Sequence, residues 1–598
     1  MTASCSIRLP DSQRVRYRLS SAPSRSPAPP ASGERKLGDF RDTPHFGVPD
    51  APRHDNLRSY VCTRPVRARA AHFTLTQTSP FTVLCGSLDV LLGSVGEEKV
   101  GATRDAGTAM KRRTFLLGSA SGLSLVALTA CVAPTPRPTA SITTKPTATP
   151  SLVPKPAAMR RTSWSADPFA RGSFSFPAVG ATPEQRGALS QPVDDLLFFA
   201  GEATSADAFG TVQGARESGR RAARDVGAAA AAGERIAVIG AGIAGLTAAR
   251  DLQDAGFDVV VVEARDRIGG RINTVTDKDW PFPIELGAAF VRRTGQTTLD
   301  EDLIDRGVAT APFSLVPEAR TAAGTVVEVP DTGAQAVASA LDWAAEQQAD
   351  VSVAVALADS GASKLSTTDA DTGVSDADWL DYLITVLLDP KTGAPVTEQS
   401  SWYSEANTEA SLRANGGTGV DRGGDRIVLG GFATLFVDLS EGIDVLSSSV
   451  VTRIAYSEAG TSLRLGNGES LSADRVIITV PLGVLKTKVM EFDPALPFAH
   501  RGAIAELGMG TLDKIWLQFD EPFWDTDAPL WSTVGGDDDF RVWINMVPLT
   551  GEPVLVGLVA AETALRLAEV DDDEFLAAAL SSLVPFLAVE PTGTPTPE

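Results

Sequence analysis

Arg235-Ile236-Ala237-Val238-Ile239-Gly240-Ala241-Gly242-Ile243-Ala244-Gly245-Leu246, running on to Val259-Val260-Val261-Val262-Glu263, decides the fold. A short apolar, β-branched run ahead of a glycine cluster reads as a strand buried on both faces. Residues 246–255 follow at helical period, and 259–262 form a second buried strand that ends on Glu263. Strand, Gly-x-Gly-x-x-Gly, helix, strand and acid, with the acid 18 residues past the last glycine, make a dinucleotide-binding unit. Gly240, Gly242, Ala244 and Gly245 let the backbone turn tightly and approach a pyrophosphate. The helix start offers free N–H groups and a positive dipole end, and Glu263 can accept a ribose hydroxyl. NAD and FAD fit this unit equally well.

The composition around it is uneven. The 598 residues carry a net charge of −22. Residues 1–161 hold 23 Lys and Arg against 10 Asp and Glu, a net of +13, which leaves −35 for residues 162–598. All four cysteines (Cys5, Cys62, Cys85, Cys131) and three of the four histidines lie in the first part. The body therefore has no disulfide, no Cys nucleophile and no cysteine-based metal site, and a Ser-His-Asp triad would have to use His500. A strongly acidic body is a poor partner for nucleic acid and draws cationic substrates. Its 437 residues can bury a large core, enough for two domains.

The basic part reads as export machinery. Met110-Lys111-Arg112-Arg113 precedes an apolar run that ends Leu128-Thr129-Ala130-Cys131. A charged start, an apolar stretch too short to span a bilayer and a small-residue terminus make a signal peptide. The paired arginines resemble a twin-arginine signal, and Leu-Thr-Ala-Cys resembles a lipobox, with Cys131 as the lipid anchor. The expected location is the extracytoplasmic face of a bacterial membrane. Residues 1–109 are either a disordered extension or a misplaced start. Residues 132–161 are rich in Pro and Thr and read as an extended linker.

Past Glu263 the chain continues Ala264-Arg265-Asp266-Arg267-Ile268-Gly269-Gly270-Arg271, and later Ile284-Glu285-Leu286-Gly287-Ala288. These segments resemble the flavin-containing amine oxidase family, which makes the dinucleotide FAD. Val451-Thr452-Arg453-Ile454, the stretch 475–486 with Pro481, and Leu507-Gly508-Met509-Gly510-Thr511-Leu512-Asp513-Lys514-Ile515 resemble its polyamine-oxidase and histone-demethylase branch. The resemblance implies an α/β chain: a Rossmann-like FAD-binding domain of the GR2 type plus an α+β substrate domain with a mixed sheet and helices. It implies FAD contacts at Glu263, Ala264, Arg265, Gly270, Arg271, Gly287, Ala288, Val451 and Pro481. It also implies a reaction, in which a hydride leaves the carbon next to an amine for FAD, the imine hydrolyses, and O2 is reduced to hydrogen peroxide. Lys514 matches the family lysine that holds a water near the flavin. Alone it would also read as an outward-facing strand lysine. Trp164 matches a tryptophan beside the flavin, with core packing as its plain alternative.

The segments stand in an unusual order. In the family the nucleotide motif opens the chain and a flavin-contacting segment closes it. Here the closing segment comes first: Trp164-Ser165-Ala166-Asp167-Pro168, then Gly172-Ser173-Phe174-Ser175-Phe176, the stretch 196–205 with Gly201 and Glu202, and Phe209-Gly210-Thr211-Val212-Gln213-Gly214-Ala215. Residues 551–587 resemble the piece that normally precedes that tryptophan. The chain thus resembles a circular permutant. A helix starting near Thr211 and Val212 would aim N–H groups at the flavin. Ser173 occupies the position where monoamine oxidases attach FAD through Cys, so FAD is expected to be non-covalent. Phe174 matches one substrate-flanking aromatic and Thr211 replaces the other, which makes these two the expected substrate contacts.

The expected layout is an FAD-binding domain at 162–299 and 430–510 and a substrate domain at 300–429 and 511–598, with helices near 334–350 and 376–388. Trp402, Tyr403 and Glu405 read either as a cationic site or as ordinary packing. The expected substrate is a primary or secondary amine, polyamine-like given the acidic body. An L-amino acid would need a cationic anchor that the sequence does not name. Desaturase-like or porphyrinogen-oxidase-like chemistry fits the fold but not Lys514 in its motif. A non-catalytic surface lipoprotein fits poorly with intact nucleotide motifs.

Overall fold

A computed structural model describes residues 152–292, 299–313, 317–403 and 425–588. The export signal, Cys131, residues 1–109 and Glu405 lie outside the described residues.

The apolar runs around the glycine motif form a five-stranded parallel sheet. Its order is Asp444–Leu446, Asp258–Val262, Arg235–Ile239, Arg475–Ile478, Leu197–Phe199. Side chains alternate across it, as the pleat requires. Ile236, Val238, Val259, Val261 and Ile477 face helices Val212–Ala229 and Ile243–Asp254. Ala237, Ile239, Val260, Val262 and Ile478 face a sheet built on Val451–Ser457 and Gly460–Leu465. Burial on both faces explains why these strands are continuous β-branched runs.

A seven-stranded mixed sheet forms the other layer. Its order is Ala158–Arg161, Leu512–Gln518, Val554–Ala560, Val542–Asn545, Leu530–Val534, Glu318–Thr321, Val326–Val327. One face packs Ile515, Leu517, Trp543 and Leu555 against helices Ala561–Leu567 and Asp572–Ser581. The other face carries Lys514 and Trp516. Beyond it stands a helical lobe: Thr332–Ala345, Val353–Ser360, Asp376–Tyr382, a π-helical turn Leu383–Leu388 and Asp389–Thr392. The first helix is thus shorter than the 334–350 expected, ending at Ala345. The second gives way to π geometry after Tyr382.

Composition placed 132–161 in the linker, and here the structure corrects it. Ala158–Arg161 is the edge strand of the seven-stranded sheet, antiparallel to the strand of Lys514, and Val153 is 3% exposed. Pro and Thr density hid this strand, because four residues at a sheet edge gain their stability from the partner strand rather than from their own pattern.

Candidate active site

One continuous cavity of about 490 Å³ runs from the glycine motif to Lys514. That size suits a small-molecule site. Gly240, Gly242, Ala244, Glu263, Ala264, Arg265, Gly270, Arg271, Gly287, Ala288, Val451, Pro481, Gly201, Glu202, Thr211 and Val212 all line it, as do Lys514, Trp164 and Phe174.

Gly245 is the exception among the expected cofactor residues. A Cβ there would sit 1.9 Å from the Gly240 carbonyl oxygen. It serves helix-to-strand packing and does not touch the cavity. Gly240, at φ +105°, needs glycine for the turn and lies against Thr479 Oγ1. Gly242 differs from both. Its φ is −79°, and an added Cβ would find no protein atom nearer than the Gly269 oxygen at 3.9 Å. The bare backbone faces open cavity at the N-terminus of helix Ile243–Asp254, which is where a pyrophosphate needs close approach. The residues present fit FAD.

Charges around this half are tied to one another and to the turn. Glu263 accepts hydrogen bonds from the Ala241 and Arg265 N–H groups at 2.7 and 2.8 Å. This holds its carboxylate beside the turn. Asp167 pairs with Arg265 at 2.6 Å, linking the Trp164 segment to the nucleotide motif. Glu202, expected as a cofactor contact, spends its carboxylate on protein: Arg271 at 2.9 Å, Ser175 Oγ at 2.7 Å and the Gly210 N–H at 2.8 Å. Burial alone would raise the Glu202 carboxyl, but Arg271, Ser175 and Arg186 outweigh it and hold it below its ordinary value.

The second helix start behaves as expected in position. Thr211 caps helix Val212–Ala229, accepting from the Gly214 N–H at 3.0 Å and donating to the Ala208 carbonyl at 2.7 Å. Thr211 therefore lines the cavity with a hydroxyl that also serves the cap. Gln213, one residue inside, donates to the Arg292 carbonyl at 2.7 Å.

Lys514 is 4% exposed on its strand. Its ammonium donates to the carbonyl oxygens of Gly287 and Glu285. Burial pulls the Lys514 amine down to about 8, and the Glu285 carboxylate opposes that fall. Burial likewise pushes Glu285 up to about 7, against hydrogen bonds from the Phe432 N–H and Thr274 and the charge of Lys514. Asp513 next door points to the opposite face. Its Oδ1 accepts from Thr162 Oγ1 at 2.7 Å and from the Trp164 N–H at 2.8 Å, fixing the tryptophan segment on this strand.

Trp402 and Tyr403 do not line the cavity. Trp402 donates its indole N–H to the Ala344 carbonyl at 2.8 Å, and Tyr403 lies at the surface. Sequence reasoning missed Arg292, Lys391, Asp425, Phe290, Phe313, Leu530, Val542, Ile544 and Leu558, which all line the cavity. For Val542, Ile544 and Leu558 the only signal was alternation within strands, which does not say which face meets a ligand. Among the described residues no group of three or more His, Cys, Asp or Glu is placed to hold a metal ion.

The family model for flavin containing amine oxidoreductases matches residues 145–227 and 243–596. Polyamine oxidase 4 of Oryza sativa subsp. japonica is 30% identical over 386 residues, 60% of this chain and 74% of that protein. Polyamine oxidase 2 of Arabidopsis thaliana is 27% identical over 361 residues, 56% of this chain and 69% of that protein. Among solved structures, cyclohexylamine oxidase from Brevibacterium oxydans IH-35A is 24% identical at a TM-score of 0.46, covering 59% of this chain and 81% of that one. With the family model matching well over half the chain, around a cavity that fits FAD, this chain belongs to the flavin-containing amine oxidoreductases and is an FAD-dependent amine oxidase.

Proposed function

We propose that the enzyme converts an amine to an imine, which water hydrolyses to a carbonyl compound with release of ammonia or a smaller amine, with O2 taking up the two electrons and two protons as hydrogen peroxide. FAD, when bound, supplies the two-electron acceptor. Glu263 and the helix start at Gly242 would hold its ribose and pyrophosphate, and the helix capped by Thr211 would face charge with its free N–H groups. The observation that carries this reading is the buried Lys514 on the cavity wall, held by two carbonyls and drawn down to about 8. As pH rises through about 8 it sheds a proton and can hold a water by a lone pair. Its positive form also favours the neutral state of a neighbouring amine, the state with an electron pair to give. The test is flavin-loaded protein with amines under air: carbonyl product and peroxide should form one to one. Flavin-bound protein that oxidises no amine would sink the proposal.

Oxidation of an L-amino acid is a second reading, favoured by one observation: Arg292 lines the cavity, a cation type that pairs with carboxylates. Faster turnover of L-phenylalanine than of benzylamine would select it.

FAD is proposed to be non-covalent. Ser173 Oγ is exchanged with the Leu512 backbone in both directions, and His500, the only histidine after residue 161, sits against the Gln191 carbonyl. Acid precipitation should leave all the flavin in solution.

The permuted order is part of the same proposal. Counted from Arg235, with Leu197–Phe199 moved to the end, the parallel sheet reads 3-2-1-4-5, the doubly wound order. Val153 belongs to the apolar cluster on which Leu587 packs, which supports the neighbouring ends that permutation requires. The family match also breaks between residues 227 and 243. A gene reordered to start just before Arg235, with 588 joined to 152, should yield flavin-bound protein; insoluble or flavin-free product would count against it. Export through the twin-arginine signal and anchoring at Cys131 complete the reading. Cys131→Ala should free the protein from the membrane fraction, and unchanged fractionation would remove the anchor.

A further inference from the structure

We infer that the substrate carries a single amine on an apolar body, and that a second ammonium is selected against. The inference rests on the amine-oxidase reading above and names the substrate class of that site.

The register of the seven-stranded sheet carries it. Lys514 lies opposite Leu558, and Leu558 opposite Val542. Directly opposed residues share a face of the pleat. Leu512 flanks Lys514 on that face, and Ile544 and Leu530 continue it two positions along their strands. All of these line the cavity. The wall around the one lysine is thus leucine, isoleucine and valine across four adjacent strands, with no carboxylate. Across the cavity, the π-helical turn and its continuation contribute Val386, Leu387 and Pro390.

The charge balance points the same way. The acids lining the cavity among the described residues are Glu202, Glu263 and Asp425. Glu202 and Glu263 belong to the cofactor half, bound to Arg271 and to the turn N–H groups. Asp425 is the remaining lining acid, beside the cations Arg292, Lys391 and Lys514, and Glu285, whose carboxylate acts on Lys514, is not among the lining residues. A second ammonium entering this wall would lose its hydration against leucine, isoleucine and valine, which is costly for a strongly hydrated group. An apolar body meets apolar side chains and gives up no such hydration. The net charge of −35 on the body does draw polycations, but that field is screened within about 8 Å at physiological salt. It acts on arrival, whereas the wall acts at contact.

The test compares benzylamine with putrescine on the flavin-loaded full chain, as kcat/KM in air and as the rise in Tm on adding each amine under argon. Benzylamine should exceed putrescine at least tenfold in kcat/KM and should give the larger Tm rise. Val542→Asp, which puts a carboxylate on the wall, should narrow or invert the ratio, and Val542→Ala should not. Putrescine equal to or better than benzylamine by both measures overturns the inference and leaves the amine-oxidase reading standing. Flavin-loaded protein that oxidises no amine overturns both. If Val542→Asp fails to retain flavin, the wild-type ratio and the Tm comparison decide alone.

Discussion

The two halves of the cavity are built by opposite means. The cofactor half is made largely of backbone: a glycine turn with Glu263 held on its N–H groups, and two helix starts, with the ion pairs Asp167–Arg265 and Glu202–Arg271 tying separate segments to it. Gly240, Gly242 and Glu263 come from one stretch of 24 residues, and their roles follow from what a tight turn can and cannot hold. The substrate half is made of side chains. Leu512, Lys514, Leu530, Val542, Ile544 and Leu558 meet only because four strands pair in one register. A backbone-made site announces itself locally, while a register-made site exists only in the assembled sheet.

Predictions can break that contrast from either side. The largest effect is expected at Gly245→Ala. A methyl 1.9 Å from the Gly240 oxygen must push helix Ile243–Asp254 off its strand, so purified protein should carry no flavin absorbance. Full flavin content would show that the glycine motif tolerates displacement and that the cofactor half is less rigid than argued.

Lys514→Met sits on the border of the halves. Flavin should be retained while kcat falls by about 10²-fold, as for loss of a proton-handling group. Wild-type kcat should rise with pH through about 8 as Lys514 loses its proton, and the variant should lack that limb. Glu285→Gln should move the limb to lower pH, because the carboxylate holds the lysine up. An identical pH profile in Lys514→Met would strip the lysine of its role.

Glu202→Gln tests the charge web of the cofactor half. It leaves Arg271 without its buried partner and should lower unfolding stability by about 3 kcal/mol, read by denaturant titration with flavin bound. A change below about 0.5 kcal/mol would mean that solvent reaches this pair freely. Leu558→Ala should act least broadly. It opens the wall opposite Lys514 and should cost roughly tenfold in kcat/KM for benzylamine, with flavin content unchanged. A loss of flavin instead would show that the two halves are one.

Much of the cofactor half was legible in the chain, and little of the substrate half. The strand–glycine–helix–strand unit, the helix start near Thr211 and the cavity positions of Trp164 and Phe174 stand where spacing and resemblance place them. Gly245 is expected at the cofactor, but the structure packs it against the Gly240 carbonyl and off the cavity, while Glu202 lines the cavity with its carboxylate on Arg271, Ser175 and Gly210. Arg292 fell in an ordinary-looking stretch just past Val291, and nothing in its neighbours marked it as facing a ligand.

By itself the sequence determined the nucleotide unit, the family likeness, and the division into a basic leading part and an acidic, cysteine-free body. These are properties of contiguous residues, where backbone sterics and net charge act without help from the rest of the chain. The tertiary structure decided which face of each strand meets the cavity. It also set the burial that draws Lys514 and Glu285 toward each other in pKa, and it recruited Ala158–Arg161 into a sheet with residues more than 350 positions away. The reason is physical: desolvation and strand register are properties of what is packed alongside, and neither exists until distant segments meet.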